Sequence, residues 1–266
     1  MRVAALLTVR NEELYLARCL EHLMSQGIET CLIDNDSTDR TLEIAKKFLG
    51  RGVFRIEHLP FRGYYEWQNC LLDKERLAIE IDADWFIHHD ADEIRQAPNP
   101  YKTLLEGIED VDSQGYNAIN FDEFLFLPTS MDESFENRDY VKEMKYYYFL
   151  EPRPLRHVKA WKKSNNPIDL TKSAGHKVEF EGIKIFPIPF ILRHYIALSR
   201  HHLEAKYGKR IYSPEEVARG WHKGRVKFKP ELLKLPNKER LKKISNNNIW
   251  DKSDPWKKHE FLSKKN

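Results

Sequence analysis

Cysteine is scarce in this chain and poorly placed for pairing. Cys19, Cys31 and Cys70 are the three cysteines among 266 residues. Their odd number does not suggest a disulfide framework, and none are paired at metal-ligand spacing. A reducing cytoplasm is therefore the expected compartment. Long apolar runs are also lacking. The run Val3–Val9 has seven residues and gives way to Arg10-Asn11-Glu12. It is too short to cross a bilayer, it has no small-residue cleavage site, and no later stretch holds 18 consecutive apolar residues. The expectation is a soluble or peripheral protein. There is no internal repeat and no low-complexity linker.

An excess of one charge is missing as well. The 44 Lys and Arg against 41 Asp and Glu leave a net +3, too little to imply a nucleic-acid partner. The distribution is uneven, however. Residues 221–266 carry 14 Lys or Arg against 5 Asp or Glu. Two readings of this tail stand: a solvated helical extension, or a surface for anionic lipid headgroups or a phosphorylated acceptor, which would bring the protein to the inner face of a membrane.

What is present is a core-forming composition, 41% hydrophobic, in a length that suits one large domain or a domain with a subdomain. Residues 1–127 alternate strand and helix signals. Val3–Val9 is apolar throughout, as in a strand covered on both faces. Leu14, Leu16, Ala17, Leu20, Leu23 and Met24 recur at helical spacing, with Asn11 as the expected cap and Gly27 as the stop. Strands are expected at 30–33, 53–58 and 85–89, and an extended segment at 116–127. Helices are expected after Ser37 or Thr38 and over 64–79 and 101–108. Repeated strand-helix units predict a mostly parallel, mixed sheet with helices on both faces. Residues 128–196 are rich in Pro, Tyr and Phe and are expected to form short strands and loops on the same sheet. Residues 197–266 return to a helical pattern.

Four features fall near the carboxyl ends of expected strands, where ligands gather in open α/β sheets. Thr8-Val9-Arg10-Asn11-Glu12 offers backbone groups at a helix start, suited to a base or phosphate. Asp34-Asn35-Asp36-Ser37-Thr38-Asp39 clusters short polar side chains, with Asp34 or Asn35 placed for a base edge or ribose hydroxyls. Arg62, with Asn69 further along, suits a diphosphate. The last feature is Trp85-Phe86-Ile87-His88-His89-Asp90-Ala91-Asp92-Glu93, an apolar run that breaks into acids. Asp90 and Asp92 can both reach one hard divalent cation, and alternation lets only one of His88 and His89 face the cleft. A second D-A-D, Asp82-Ala83-Asp84, precedes the strand and reads as a solvent turn. The aromatics Tyr146, Tyr147, Tyr148, Phe149 and Trp161 suit either a core or a sugar-stacking platform. Trp161, flanked by Lys159, Lys162 and Lys163, is the best candidate for the platform.

In this order, Leu7 to Glu12, Ile33 to Thr41 and His89 to Glu93 resemble the inverting nucleotide-sugar glycosyltransferases of family 2, with the glycosyltransferase A (GT-A, Rossmann-like) fold, over roughly residues 2–125. That resemblance implies a nucleotide-sugar-binding region at 1–127, an acceptor-side region at 128–196 and a helical, basic C-terminal extension at 197–266. It implies base and ribose contacts at Thr8, Val9, Arg10, Asn11, Glu12, Asp34 and Asn35, and Mn²⁺ or Mg²⁺ on a diphosphate at Asp90 and Asp92. Many relatives have two adjacent acids after the second strand, where this chain has Asn35. Ser173 to Lys177 and Leu192 to Tyr195 resemble a bacterial subgroup with a late His-Tyr. This makes His194 a candidate third metal ligand, with His176, Lys177 and Arg193 as further site candidates. An inverting transfer needs a carboxylate base; Asp122, Glu123 and Glu179 are the candidates. The donor implied is a UDP- or GDP-sugar, and the acceptor a glycan or glycolipid in surface polysaccharide or glycolipid synthesis. Two alternatives remain: a non-catalytic protein that binds an anionic polymer or membrane, and a nucleotidyltransferase. The latter normally carries a Gly-rich loop where Thr8–Glu12 has no glycine.

Overall fold

The structure, a computed structural model, describes residues 1–226, 228, 229, 233–245 and 249–259. In chain order the elements are β1 (Val3–Val9), α1 (Leu16–Ser25), β2 (Glu29–Asp34), α2 (Thr41–Lys47), β3 (Val53–His58), α3 (Trp67–Glu80), β4 (Trp85–His89), β5 (Glu93–Gln96), α4 (Leu104–Ser113), β6 (Ala118–Phe126), α5 (Tyr140–Glu143), β7 (Tyr146–Leu150), β8 (Val158–Lys162), β9 (Phe190–Tyr195), α6 (Arg200–Gly208), α7 (Pro214–Ala218), α8 (Lys223–Val226) and β10 (Lys242–Lys243). They divide into two compact units. The first comprises Met1–Arg62, Trp67–Phe121 and Leu155–Leu192; the second comprises Gly63–Glu66, Asp122–Pro154 and Arg193–Asn266.

The first unit holds the expected mixed, mostly parallel sheet. β1 lies between β2 and β4 and is parallel to both, and β3 runs parallel on the far side of β2. β8 is antiparallel to β4, and Ala118 to Asn120 of β6 pair antiparallel with β8. The apolar run of β1 forms the centre because it is covered on both faces: Val3 to Leu7 are all buried. The steps β1 to β2 and β2 to β3 move one way across the sheet, and β3 to β4 moves back. Right-handed crossovers therefore put α1 and α2 on one face and α3 on the other. α1 buries Leu16, Cys19, Leu20 and Leu23, one face at helical spacing. Each of the three leucines contributes roughly 1.5–3 kcal/mol when fully buried. Gly27 ends α1 in the left-handed region (φ +75°), and a Cβ there would lie 2.9 Å from Leu105 Cδ2, so both conformation and α4 require glycine.

Three local expectations differ from what is observed. Asn11 does not cap α1, whose N-cap is Tyr15 with no side-chain bond. Ser37 and Thr38 do not cap α2. That helix starts later, and Asp39 Oδ1 accepts from the Thr41 N–H at 2.8 Å. α3 begins at Trp67 and not at Tyr64, because Tyr65 is held as a β-bridge with Tyr212, its N–H donating to the Ile211 carbonyl at 2.7 Å.

In the second unit Glu123 to Phe126 of β6 pair antiparallel with β7, and β10 lies on the other edge of β7. Tyr147, Tyr148 and Phe149 are buried, so the core reading holds for them. Phe126 stacks on Tyr195 with centroids 4.7 Å apart, and Trp250 packs on Phe124 at 4.5 Å. The helical reading of the tail holds for α6, α7 and α8. Beyond them, among the described residues, come a short 3-10 turn and β10. No helix among the described residues is long and apolar enough to cross a membrane.

All three cysteines are free and buried. Burial pushes the Cys31 thiol from 9.0 up to about 12. Between these values the unfolded chain has lost a proton that the folded chain keeps. Stability due to this group is therefore complete below pH 9 and is lost as pH rises toward 12, at up to about 1.4 kcal/mol per pH unit. The urea midpoint of the native protein should fall more steeply between pH 9 and 10.5 than that of Cys31→Ala. Ellman's reagent should find no reactive thiol before unfolding.

Candidate active site

The parallel register brings three strand ends level. Val9 stands opposite Asp34, and Leu7 opposite His89. Thr8, Asp34 and Asp90 thus converge at one carboxyl edge of the first unit, where open α/β sheets bind ligands.

The turns after β1 and β2 are laced together. Arg10 donates to the carbonyls of Asn35 and Asp36, and its guanidinium lies 3.4 Å from the Phe61 ring centroid. Asn11, in the left-handed region at φ 56°, accepts from the Thr38 N–H at 2.7 Å, while its own N–H donates to Ser37 Oγ at 3.1 Å. The Glu12 N–H donates to Thr41 Oγ1 at 2.7 Å. Val9 is buried, and its carbonyl accepts from the Asn35 N–H at 2.9 Å. Asn35 itself is buried, with Nδ2 donating to the Leu59 carbonyl at 2.9 Å. These bonds tie the turns after β1 and β2 into one wall of the edge. Asp36 bonds the Phe61 N–H at 2.7 Å and His58 Nε2 at 2.6 Å; in that order they hold its carboxyl below the usual range. Two oxygens stand apart. Thr8 Oγ1 and Asp34 Oδ1 are buried and have no hydrogen-bond partner among the described residues. Such orphans are costly unless a water or ligand meets them. Arg62 and Asn69 do come together, lining a cleft of about 300 Å³ with Leu59, Leu72 and Arg76.

The acidic turn after β4 rests on a buried ion network that sequence reading missed. Lys159 Nζ lies 3.2 Å from Asp90 Oδ2 and 3.0 Å from Glu93 Oε1. Arg95 pairs with the other oxygen of Glu93, and its Nε donates to His89 Nδ1 at 3.0 Å. Lys74 donates to the His89 carbonyl at 3.2 Å. Burial would raise the Asp90 carboxyl, but the surrounding cations, Lys159 foremost, outweigh it and hold it well below the usual range. Burial disfavours the Lys159 ammonium, yet Glu93 and Asp90 keep it above its ordinary value. For Lys74 burial wins and pulls it down to about 8. His88 and His89 are both fully buried, against the expectation that one faces the cleft, and burial pushes both well below the usual histidine range.

The other candidates each have their own partners within their unit. Trp161 is buried and stacks on Phe86 at 5.9 Å, which makes it a core residue and no sugar platform; strand alternation puts it on the same side of β8 as Lys159. Glu179 pairs with Lys172 at 2.7 Å. The His176 ring meets His157 edge-on at 5.5 Å, and the Lys177 N–H donates to Ser173 Oγ at 2.7 Å. In the second unit Glu123 is buried with its Oε1 2.7 Å from His194 Nδ1, and Arg193 donates to the Val141 carbonyl at 2.8 Å. Asp122 pairs with Lys252 at 3.0 Å; burial raises its carboxyl, partly offset by that lysine.

For a divalent ion the donor set is two hard carboxylates, Asp90 and Asp92. Among the described residues no group of three or more His, Cys, Asp or Glu is arranged to hold a metal. Two carboxylates still fit Mg²⁺ or Mn²⁺, which commonly complete their shell with waters and substrate phosphates.

Residues 5–97 match Glycosyl transferase family 2, a span that runs from β1 past β5 and includes Thr8, Asp34, Asp90 and Asp92. No curated protein matches the chain. Among solved structures it is similar to S. aureus TarS. Against TarS 1-349 in complex with UDP-GlcNAc, identity is 14% over 82% of this chain and 64% of that chain, with a TM-score of 0.49. Against TarS 1-349 in complex with UDP, identity is 11% over 87% and 76%, with a TM-score of 0.47. The chain spans 37% of the longer TarS structure, at 12% identity over 74% of this chain and a TM-score of 0.45.

Glu93 accepts from two buried cations. Replacing it leaves both without their shared carboxylate, so Glu93→Ala should destabilise the protein by about 3–5 kcal/mol. The check is a lowered urea midpoint at unchanged m-value.

Proposed function

We propose that the protein is a glycosyltransferase that moves a sugar from a nucleoside diphosphate donor to an acceptor hydroxyl. One observation carries the reading: within the span that matches Glycosyl transferase family 2, the unpartnered oxygens of Asp34 and Thr8 stand at the same carboxyl edge as Asp90. Asp34 and Thr8 would meet the nucleoside, and Arg62 with Asn69 would line its path. Asp90 and Asp92 would hold Mn²⁺ or Mg²⁺. When bound, such an ion neutralises charge developing on the diphosphate leaving group.

In this reading the donor is a UDP- or GDP-sugar and transfer proceeds with inversion, as the family resemblance implies. The acceptor would be a glycan or glycolipid of the cell surface, with the basic tail at the inner membrane face. Inversion requires a carboxylate to take the acceptor proton. Asp122 and Glu179 both hold an ammonium partner, whereas Glu123 faces a histidine. Burial shifts Asp122 toward the range of a working base. Glu123 suits the orienting of His194, since a carboxylate on Nδ1 fixes the ring and its tautomer.

The test is incubation with a panel of UDP- and GDP-sugars plus Mn²⁺, reading donor hydrolysis and thermal shift. Hydrolysis of one donor is expected, and Asp90→Asn with Asp92→Asn should lower it by roughly 10²–10³-fold. A donor panel that gives neither turnover nor a shift with UDP or GDP defeats the reading. If the double variant keeps full biological function, a non-catalytic binding role is favoured.

A further inference from the structure

In the second unit, Arg193 is half-buried and has no carboxylate partner among the described residues. Its guanidinium lies 5.3 Å from the ring centroid of Phe126, 5.4 Å from that of Tyr195 and 5.7 Å from that of Trp250. Nη2 donates to the Val141 carbonyl at 2.8 Å, while the buried Nε has no hydrogen-bond partner among the described residues. A guanidinium offers five N–H donors, and here the one acceptor it meets is neutral. The acids of the surrounding elements are engaged elsewhere. Asp122, on the same face of β6 as Phe126, pairs with Lys252 at 3.0 Å. Glu123 meets His194 on the opposite face, and Glu143 of α5 pairs with Arg138. By contrast, the enclosed Arg95 and Lys159 of the first unit each hold a carboxylate.

We infer that Arg193 binds an oxyanion carried by the acceptor, a phosphate or a carboxylate, and so selects charged acceptors over neutral ones. The inference rests on the transferase reading above and narrows its acceptor from any hydroxyl to one on an anionic sugar. Aromatic faces attract a guanidinium, but they give its N–H groups nothing to bond. They also keep water from it, so an oxyanion that reaches it is screened less than at an open surface. The planar fork matches two oxygens of one phosphate or carboxylate. A neutral hydroxyl can take one N–H but leaves the charge unmet, and a partly desolvated charge is costly without an opposite one. Lys252 balances Asp122 on the same face, so that acid does not cancel the pull of Arg193 on an anion. Arg193 in these terms determines specificity and takes no part in the bond changes of transfer.

The test titrates the full chain, with UDP or GDP present, with three related sugars: glucose, glucose 6-phosphate and glucuronate. In the native protein it follows the arginine Nε–H nuclear magnetic resonance signal that Arg193→Lys removes; in the variants binding is read by calorimetry. One or both charged sugars should move the signal to saturation at a concentration at least about tenfold below any effect of glucose, and the one that does so identifies the oxyanion. Arg193→Gln should weaken that binding by about tenfold or more. Arg193→Lys, which keeps the charge without the fork, should weaken it less. Should Arg193→Gln fail to fold, the native protein and Arg193→Lys still decide. A signal unmoved by both charged sugars, or moved equally by glucose, overturns the inference and leaves the transferase reading standing. Loss of UDP or GDP affinity in Arg193→Gln also overturns it, since Arg193 would then serve the donor. If neither UDP nor GDP binds the native protein, the transferase reading falls and the acceptor assignment falls with it.

Discussion

Glu93 holds the turn after β4 in place. Its two oxygens take Lys159 from β8 and Arg95 from β5, and the same lysine reaches Asp90. Buried ion pairs of this kind add little net stability, because desolvation consumes most of the Coulomb gain. What they supply is geometry. A loop carrying three acids within four residues would otherwise spread by repulsion. Here β8 and β5 each contribute a cation of fixed position, and Asp90 and Glu93 are arranged to meet them. The parallel register sets where the turn stands, and the ion network sets how its side chains stand.

The same reasoning explains the two histidines that precede the turn. Both are fully buried beside lysine and arginine, where a protonated ring would add another positive charge to a crowded interior. As neutral rings they can still accept, and His89 Nδ1 does so from Arg95 at 3.0 Å. They serve the network as neutral spacers and hydrogen-bond acceptors.

How much of this was legible beforehand follows from chemistry as much as from position. β1 and β3 match their expected ranges to the residue, and β4 likewise, because their signal is a run or alternation bounded by polar turns. The placement of Asp34 and Asp90 at strand ends was legible for the same reason, since each closes an apolar run. β5 (Glu-Ile-Arg-Gln) and β8 (Val-Lys-Ala-Trp-Lys) were not. Their charged residues look like surface, and only the partner strands reveal that Glu93, Arg95 and Lys159 neutralise one another inside. Trp161 misled in the same way: flanking lysines suggested an exposed ring, yet Lys159 on its own side is buried with it. The turn residues Asn11, Ser37 and Thr38 carried correct polar signals but bond across two loops rather than along one helix, a choice set by tertiary contact.

In the second unit, alternation along β6 separates two acids that sequence alone could not rank. Phe124 and Phe126 share a face with Asp122 and pack against Trp250, while Glu123 points the other way to His194. β9 pairs with β6 and repeats the division: Arg193 lies over the rings of Phe126 and Trp250, and its neighbour His194 takes the Glu123 side. Neighbours one residue apart thus sit in opposite settings. One acid is paired with the half-exposed Lys252, and the other with the His194 imidazole. The two carboxylates therefore stand on opposite faces of β6 with different partners, which is what strand alternation requires.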